Sequence, residues 1–148
     1  MKSRVYGIAQ STLFVLFALV VWFDTAPRTI GGGPILTVAG DLLCLLGVVL
    51  LFVALQTIGK SIQIAPAPRA DAELVTRGVY GRLRHPIYTG IVLVVVGFVL
   101  RGITPIGALL AFGIVVFLVF KARYEETLLS ARYPQYAEYR RRTRGVLY

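Results

Sequence analysis

The densest polar stretch of the 148-residue chain is Glu73-Leu-Val-Thr-Arg-Gly-Val-Tyr-Gly-Arg-Leu-Arg-His-Pro-Ile-Tyr-Thr-Gly90, and it runs directly into an apolar segment. Pro86 suits the first turn of a helix, where its missing N–H costs nothing, so His85 falls at or beside the N-cap. Free backbone N–H groups and the positive helix end favour an anionic or electron-rich ligand group there. Tyr88 and Gly90 follow within one turn, adding a hydroxyl or ring and a gap where a ligand can approach the backbone. The same residues also make an ordinary capped helix start. A second feature is the adjacent pair Glu125-Glu126, just past another apolar segment and close to Lys121 and Arg123. Carboxylates at a helix C-terminus oppose the helix dipole. Lys121 and Arg123 either compensate them as a solvated charge cluster or share with them a ligand that bears both charges.

Four apolar segments must position these groups, at about 5–23, 35–58, 87–100 and 103–120. The first two reach the roughly 20 residues that cross a bilayer core, while the third is short and the fourth carries Pro105 near its start. The expectation is an all-α integral membrane protein with four transmembrane helices, a loop over 59–86, and an amphipathic helix over 121–142 that Pro134 breaks or kinks. The third and fourth spans read as a tight antiparallel hairpin that brings His85 and the glutamate pair together. The first span has no small-x-small cleavage site after it and reads as retained. Composition agrees, with 57% hydrophobic and 16% charged residues and a mean hydropathy of +0.75, against about 45–50% and about 25% in soluble domains.

All but Arg28 and Arg101 of the 16 Lys and Arg residues fall on one side of these spans. That asymmetry makes the side cytoplasmic, in a bacterial-type inner membrane, and puts both termini, the 59–86 loop and the glutamate pair there. The net charge of +9 then faces lipid head groups rather than nucleic acid. The tail Arg140-Arg141-Arg142-Thr143-Arg144 reads as a headgroup anchor, and Tyr133, Tyr136 and Tyr139 as an interfacial belt or as part of the site. Cys44 has no second cysteine, so no disulfide and no cysteine-based metal site is expected. Asp41, inside the second span, reads as a packing or water-linked group. Gln10 and Gln56 read as interhelical hydrogen-bond formers, and Gly107 with Ala111 as small residues for close packing or a dimer contact.

Three motifs in order resemble the isoprenylcysteine carboxyl methyltransferase family, a relative of the membrane phospholipid methyltransferases. They are Leu74-Val75-Thr76-x-Gly78-x-Tyr80, then Arg84-His85-Pro86-x-Tyr88-x-Gly90, then Glu125-Glu126-x-x-Leu129 with Tyr136-x-x-Tyr139. The resemblance covers about Glu73 to Tyr139. It implies S-adenosylmethionine as cofactor, with S-adenosylhomocysteine as product, held at the cytoplasmic ends of the last helices. By the same resemblance Glu73, Leu74, Val75 and Tyr80 lie along the adenosine and methionine portions, and His85, Pro86 and Tyr88 close on the cofactor. One of Glu125 and Glu126 binds it, Lys121 or Arg123 faces the methyl acceptor, and Gln63 joins the cofactor site. No G-x-G-x-x-G follows a strand pattern, which agrees with a site outside a Rossmann domain.

The implied reaction is methyl transfer to a lipophilic acceptor that enters from the bilayer, either a small molecule or a prenylated substrate. An isoprenylcysteine-like carboxylate is ionised at neutral pH and needs only orientation by Arg123 or Lys121. An amine or hydroxyl, as on a phospholipid or another small amphiphile, needs a base, for which Glu125, Glu126 or His85 would serve. Membrane lipids are the remaining partners, and a homodimer is compatible. Two other classes stay open: a non-enzymatic lipid-binding scaffold, in which His85 and Glu125 are dispensable, and a small multidrug-type transporter coupled through Asp41.

Overall fold

The computed structural model describes residues 2–59 and 74–145. Among these the chain is helical: α1 (Lys2–Phe23), α2 (Pro34–Ile58), α3 (Pro86–Arg101), α4 (Pro105–Arg132) and α5 (Tyr136–Arg142), with a 3-10 turn at Gly78–Gly81. The only sheet-like pairings among the described residues are two isolated bridges. Val5–Phe23 of α1, and all of α2 and α4, are long and apolar enough to cross a membrane. The chain is therefore an integral membrane protein, as its composition requires. α3 has 16 residues, about 24 Å at roughly 1.5 Å per residue, against a hydrocarbon core of about 30 Å.

Three helices begin with proline at their first turn, Pro34, Pro86 and Pro105, where no backbone bond is lost. Thr104 caps α4 by accepting from the Gly107 N–H at 3.2 Å, and donates its own hydroxyl to Asp24 Oδ2 at 2.7 Å. The α1–α2 connection is clasped to this corner by an antiparallel bridge, with Ile103 N–H donating to the Ile30 carbonyl at 2.9 Å. Gly31 lies at φ +76°, and a side chain there would strike the Val99 carbonyl. That close approach explains Gly31, while Gly32 and Gly33 are called for by their positive φ of +88° and +87°.

α2 packs along α3 over the most extensive interface, α1 packs on α4, and α3 meets α4 more lightly. The α2–α3 contact is a glycine seam. A Cβ on Gly47 would stand 2.7 Å from the Gly90 carbonyl oxygen, and one on Gly97 would stand 2.7 Å from that of Gly40. Between lipid-embedded helices there is little hydrophobic drive, so close backbone approach of this kind supplies the attraction. Cys44 lies between the two glycine pairs and donates its thiol to the Val94 carbonyl at 3.6 Å. At the clasped end of the seam Asp41 pairs with Arg101, the last residue of α3.

Four expectations are revised. α4 does not stop near 120 but continues for 28 residues, about 42 Å at roughly 1.5 Å per residue, so it outreaches the hydrocarbon core. The helix expected over 121–142 is the end of α4 plus α5, separated at Tyr133-Pro134-Gln135 because proline cannot continue the ladder. The nearest neighbours of a side chain at Gly107 would be Ile103 and Thr104 of its own corner, whereas Ala111 is buried in the core. Gln56 lies exposed on α2 and makes no side-chain hydrogen bond among the described residues.

Candidate functional site

The core stripe of α4 runs through Ala111, Ile114, Leu118 and Ala122 against Tyr88, Val92 and Val95 of α3. At three- and four-residue spacing the same face continues through Lys121 to Glu125 and Glu126, so an apolar stripe becomes charged where the helix leaves the bilayer core. Opposite it, His85 caps α3, and its carbonyl accepts from the Thr89 N–H at 3.0 Å. The short α3–α4 corner brings the two ends side by side. His85, Glu126 and Lys121 are buried there.

The two adjacent carboxylates divide their partners. Glu125 accepts the Tyr88 hydroxyl at 2.7 Å, and stands 3.7 Å from both His85 Nδ1 and Lys121 Nζ. Glu126 accepts from Arg84 Nε at 2.7 Å, lies 3.2 Å from His85 Nε2, and faces Arg140 Nε at 3.6 Å. His85 thus bridges the pair, and its ring stacks on Tyr88 with centroids 5.4 Å apart and planes 8° from parallel. Lys121 lies 5.1 Å from the centre of the Tyr88 ring and donates to Gln10 Oε1 of α1.

A strap from the C-terminal segment closes this cluster. Arg84 donates through Nη1 to the carbonyls of Arg140, at 3.1 Å, and Thr143. Leu83 and Arg144 form a parallel bridge, in which the Arg84 N–H donates to the Arg144 carbonyl at 2.8 Å. Tyr139 donates its hydroxyl to the Tyr80 carbonyl at 2.7 Å. Burial pushes the Tyr139 hydroxyl up to about 12, so it remains a neutral donor at physiological pH. Burial likewise raises that of Tyr80, whose oxygen is enclosed yet has no hydrogen-bond partner among the described residues. An orphaned buried hydroxyl costs about 1–3 kcal/mol. It therefore marks a position where a ligand group is welcome.

The structure brings together His85, Pro86, Tyr88, Lys121, Glu125 and Glu126, and sets Tyr80 beside them through α5. Leu74 and Val75 are half-buried on the stretch that leads into the 3-10 turn. Gln63 and Glu73 lie outside the described residues. Arg123 lies two positions beyond Lys121, about 200° round the helix at roughly 3.6 residues per turn, and is exposed. Sequence reasoning passed over Arg84 as a site residue, although it stands inside the quoted motif. Of the two readings open for the periodic tyrosines, the burial of Tyr136 and Tyr139 favours the site, and Arg84 binds the backbone carbonyls of Arg140 and Thr143 while the arginine side chains of the tail stay exposed. The periodic tyrosines carried that signal.

Comparison with known proteins agrees with this geometry. The Phospholipid methyltransferase family profile matches residues 35–136. The chain is 37% identical over 108 residues to Protein-S-isoprenylcysteine O-methyltransferase B of Arabidopsis thaliana, covering 70% of this chain and 54% of the relative. It is 34% identical over 102 residues to the nickel-cobalt-cadmium resistance protein NccN of Alcaligenes xylosoxydans xylosoxydans, covering 67% of this chain and 47% of that one. The solved structure of the eukaryotic intramembrane Ras methyltransferase, isoprenylcysteine carboxyl methyltransferase, aligns with a TM-score of 0.60 and 26% identity over 99% of this chain and 53% of that one. The chain spans about half the length of the relatives it matches. These matches bear out the resemblance read from the three motifs.

Proposed function

Because the chain belongs to the phospholipid methyltransferase family, we propose that it transfers a methyl group from S-adenosylmethionine to the carboxylate of a lipophilic, isoprenylcysteine-like acceptor, on the cytoplasmic side of the membrane. The observation that carries this reading is Lys121, a cation only 1% exposed, seated beside Glu125 at the level where α4 emerges from the bilayer. A buried ammonium flanked by lipid-facing helices suits an acceptor with an apolar tail and an anionic head.

The described residues fit the cofactor. Glu125 would hold its ammonium in exchange for the long 3.7 Å contacts to His85 and Lys121, and the enclosed Tyr80 hydroxyl offers it a hydrogen bond. His85 and Tyr88 give a flat stacked wall beside Glu125. When bound, the cofactor supplies an electrophilic methyl with its own leaving group. The protein then has to align the two partners and keep water away, which alone can lower a barrier by several kcal/mol. Lys121 orients an acceptor carboxylate that is already ionised, and its low-dielectric surroundings strengthen the attraction. Glu126 is occupied by Arg84, His85 and Arg140, so it supports the site as a positioning group rather than as a base for an amine. That disfavours a phospholipid amine as acceptor. The likeness to a metal resistance protein brings no donor cluster with it, since no group of three or more His, Cys, Asp or Glu among the described residues could hold an ion.

The test is equilibrium binding of S-adenosylmethionine and S-adenosylhomocysteine to the protein in lipid nanodiscs, with folded His85→Ala and Glu125→Ala variants beside it. Saturable binding that both variants weaken, followed by methyl transfer to an S-prenylated N-acylcysteine, supports the reading. No binding by the unmodified protein would overturn it and favour a lipid scaffold.

A further inference from the structure

α1 meets α4 along a stripe of Tyr6, Gln10, Phe14 and Phe17, spaced three or four residues apart. Tyr6 stacks on Tyr124 with centroids 5.1 Å apart and packs against Phe117 at 5.9 Å. Gln10, one turn deeper, is the stripe's amide, and it lands on Lys121. An amide in a lipid-embedded helix is retained when it has a polar partner, and here the partner is the cation of the candidate site.

The donor count at this contact is informative. An ammonium has three N–H groups and accepts nothing, so Gln10 must present its amide oxygen to Lys121. Its NH2 group shares the amide carbon with that oxygen, so one of its two N–H donors lies alongside the carbonyl, and no hydrogen bond is described for it. Donors from two helices therefore converge: Lys121 Nζ from α4 and Gln10 Nε2 from α1. A carboxylate has two oxygens and can take one donor on each. An amine, which must offer a lone pair and would gain positive charge on methylation, meets a cation and an N–H donor instead.

We propose that Gln10 is a specificity-determining residue, the second donor of a split clamp whose first donor is Lys121 and whose ligand is the acceptor's carboxylate. This rests on the methyltransferase reading and adds to it the role of α1, which lies outside the 35–136 region that the family profile covers. The chemistry balances without Gln10 changing state. The new bond joins an acceptor oxygen to the methyl carbon as the sulfur–methyl bond breaks, its electron pair returns to sulfur, and no proton moves. Gln10 only selects and orients the nucleophile.

The experiment uses the full chain in nanodiscs, N-acetyl-S-farnesylcysteine as acceptor, and the matching carboxamide as competitor. Gln10→Met keeps the length and the apolar surroundings but removes the donor. It should raise the acceptor KM about tenfold, the worth of one hydrogen bond to a charged group, while kcat and cofactor affinity stay within about twofold. Gln10→Glu should raise KM further by repelling the acceptor, and the preference for acid over carboxamide should fall in both variants. An unchanged KM, or a loss spread equally over cofactor binding and kcat, would show that Gln10 only holds helices together and would overturn the proposal. If Gln10→Met does not fold, Gln10→Asn, one methylene shorter, is read on the same scale. Failure of the unmodified protein to bind cofactor at all is a separate result, and it removes the methyltransferase reading itself.

Discussion

Tyr88 donates its hydroxyl to Glu125 Oε1 at 2.7 Å, joining the first turn of α3 to the charged end of the α4 stripe. The bond holds the carboxylate beside His85, 3.7 Å from Nδ1. Tyr88→Phe removes that donor and leaves the pocket wall intact, so cofactor affinity should fall about tenfold, the equivalent of about 1.4 kcal/mol, with a smaller change in melting temperature. Isothermal titration on the folded variant checks it, and unchanged affinity would mean that Glu125 is held by its cations alone.

Arg84 and Glu126 are a buried ion pair, their side chains 5% and 6% exposed. Removing one member strands the other, which typically costs about 3–5 kcal/mol, whereas replacing both with apolar residues costs less. Arg84→Met and Glu126→Met should each lower the melting temperature more than the double variant does. Arg84→Met should also loosen α5, read as faster amide exchange or proteolysis at Tyr136–Arg142, because the guanidinium ties the carbonyls of Arg140 and Thr143 to the cluster.

The seam between α2 and α3 tolerates no side chain. Gly47→Ala places a methyl 2.7 Å from the Gly90 carbonyl oxygen, while Gly113→Ala in α4 meets nothing within 4 Å. The first should destabilise the folded protein by about 1–3 kcal/mol and the second should be neutral or slightly stabilising. Thermal unfolding in one detergent compares them directly.

Lys121 and Arg123 lie on opposite sides of α4, so they separate cleanly. Lys121→Met should reduce kcat/KM for a carboxylate acceptor by about a hundredfold, the cost of losing a charged hydrogen-bonding partner, and Arg123→Met by less than about threefold. Reversed magnitudes would return Arg123 to the acceptor side.

Asp24, outside the spanning helices, accepts from the Thr104 hydroxyl and the Ala26 N–H, which hold its carboxyl below the usual range. A depressed folded-state value gives stability that is present above the unfolded value of about 3.9 and is lost as pH falls through the folded one. The melting temperature of Asp24→Asn should therefore lie below that of the unmodified protein at neutral pH and converge with it in acid.

The site motifs were legible because chemistry and local geometry coincide in them. Pro86 marks a helix start, His85 precedes it, and Glu125-Glu126 follow an apolar run of spanning length, so their meeting needs only two antiparallel helices joined by a short corner. The glycine seam was not legible, because Gly40 and Gly47 share a seven-residue spacing with Gly90 and Gly97 but nothing local names the partner helix. Gln10 was read as an interhelical hydrogen-bond former, and it is one. Its partner lies 111 positions away, beyond the reach of any periodicity. The arginine tail reads as a lipid anchor from its charge, and its arginine side chains are exposed; what composition does not convey is that the Arg84 side chain draws the tail's backbone inward.

That inward turn makes the segment after α4 a latch. Arg84 finds two of its carbonyl partners, on Arg140 and Thr143, only beyond the break at Tyr133-Pro134-Gln135, and Glu126 faces Arg140 across the same break. A protease that cut the chain at that break would therefore strip the buried cluster of these partners without touching a spanning helix.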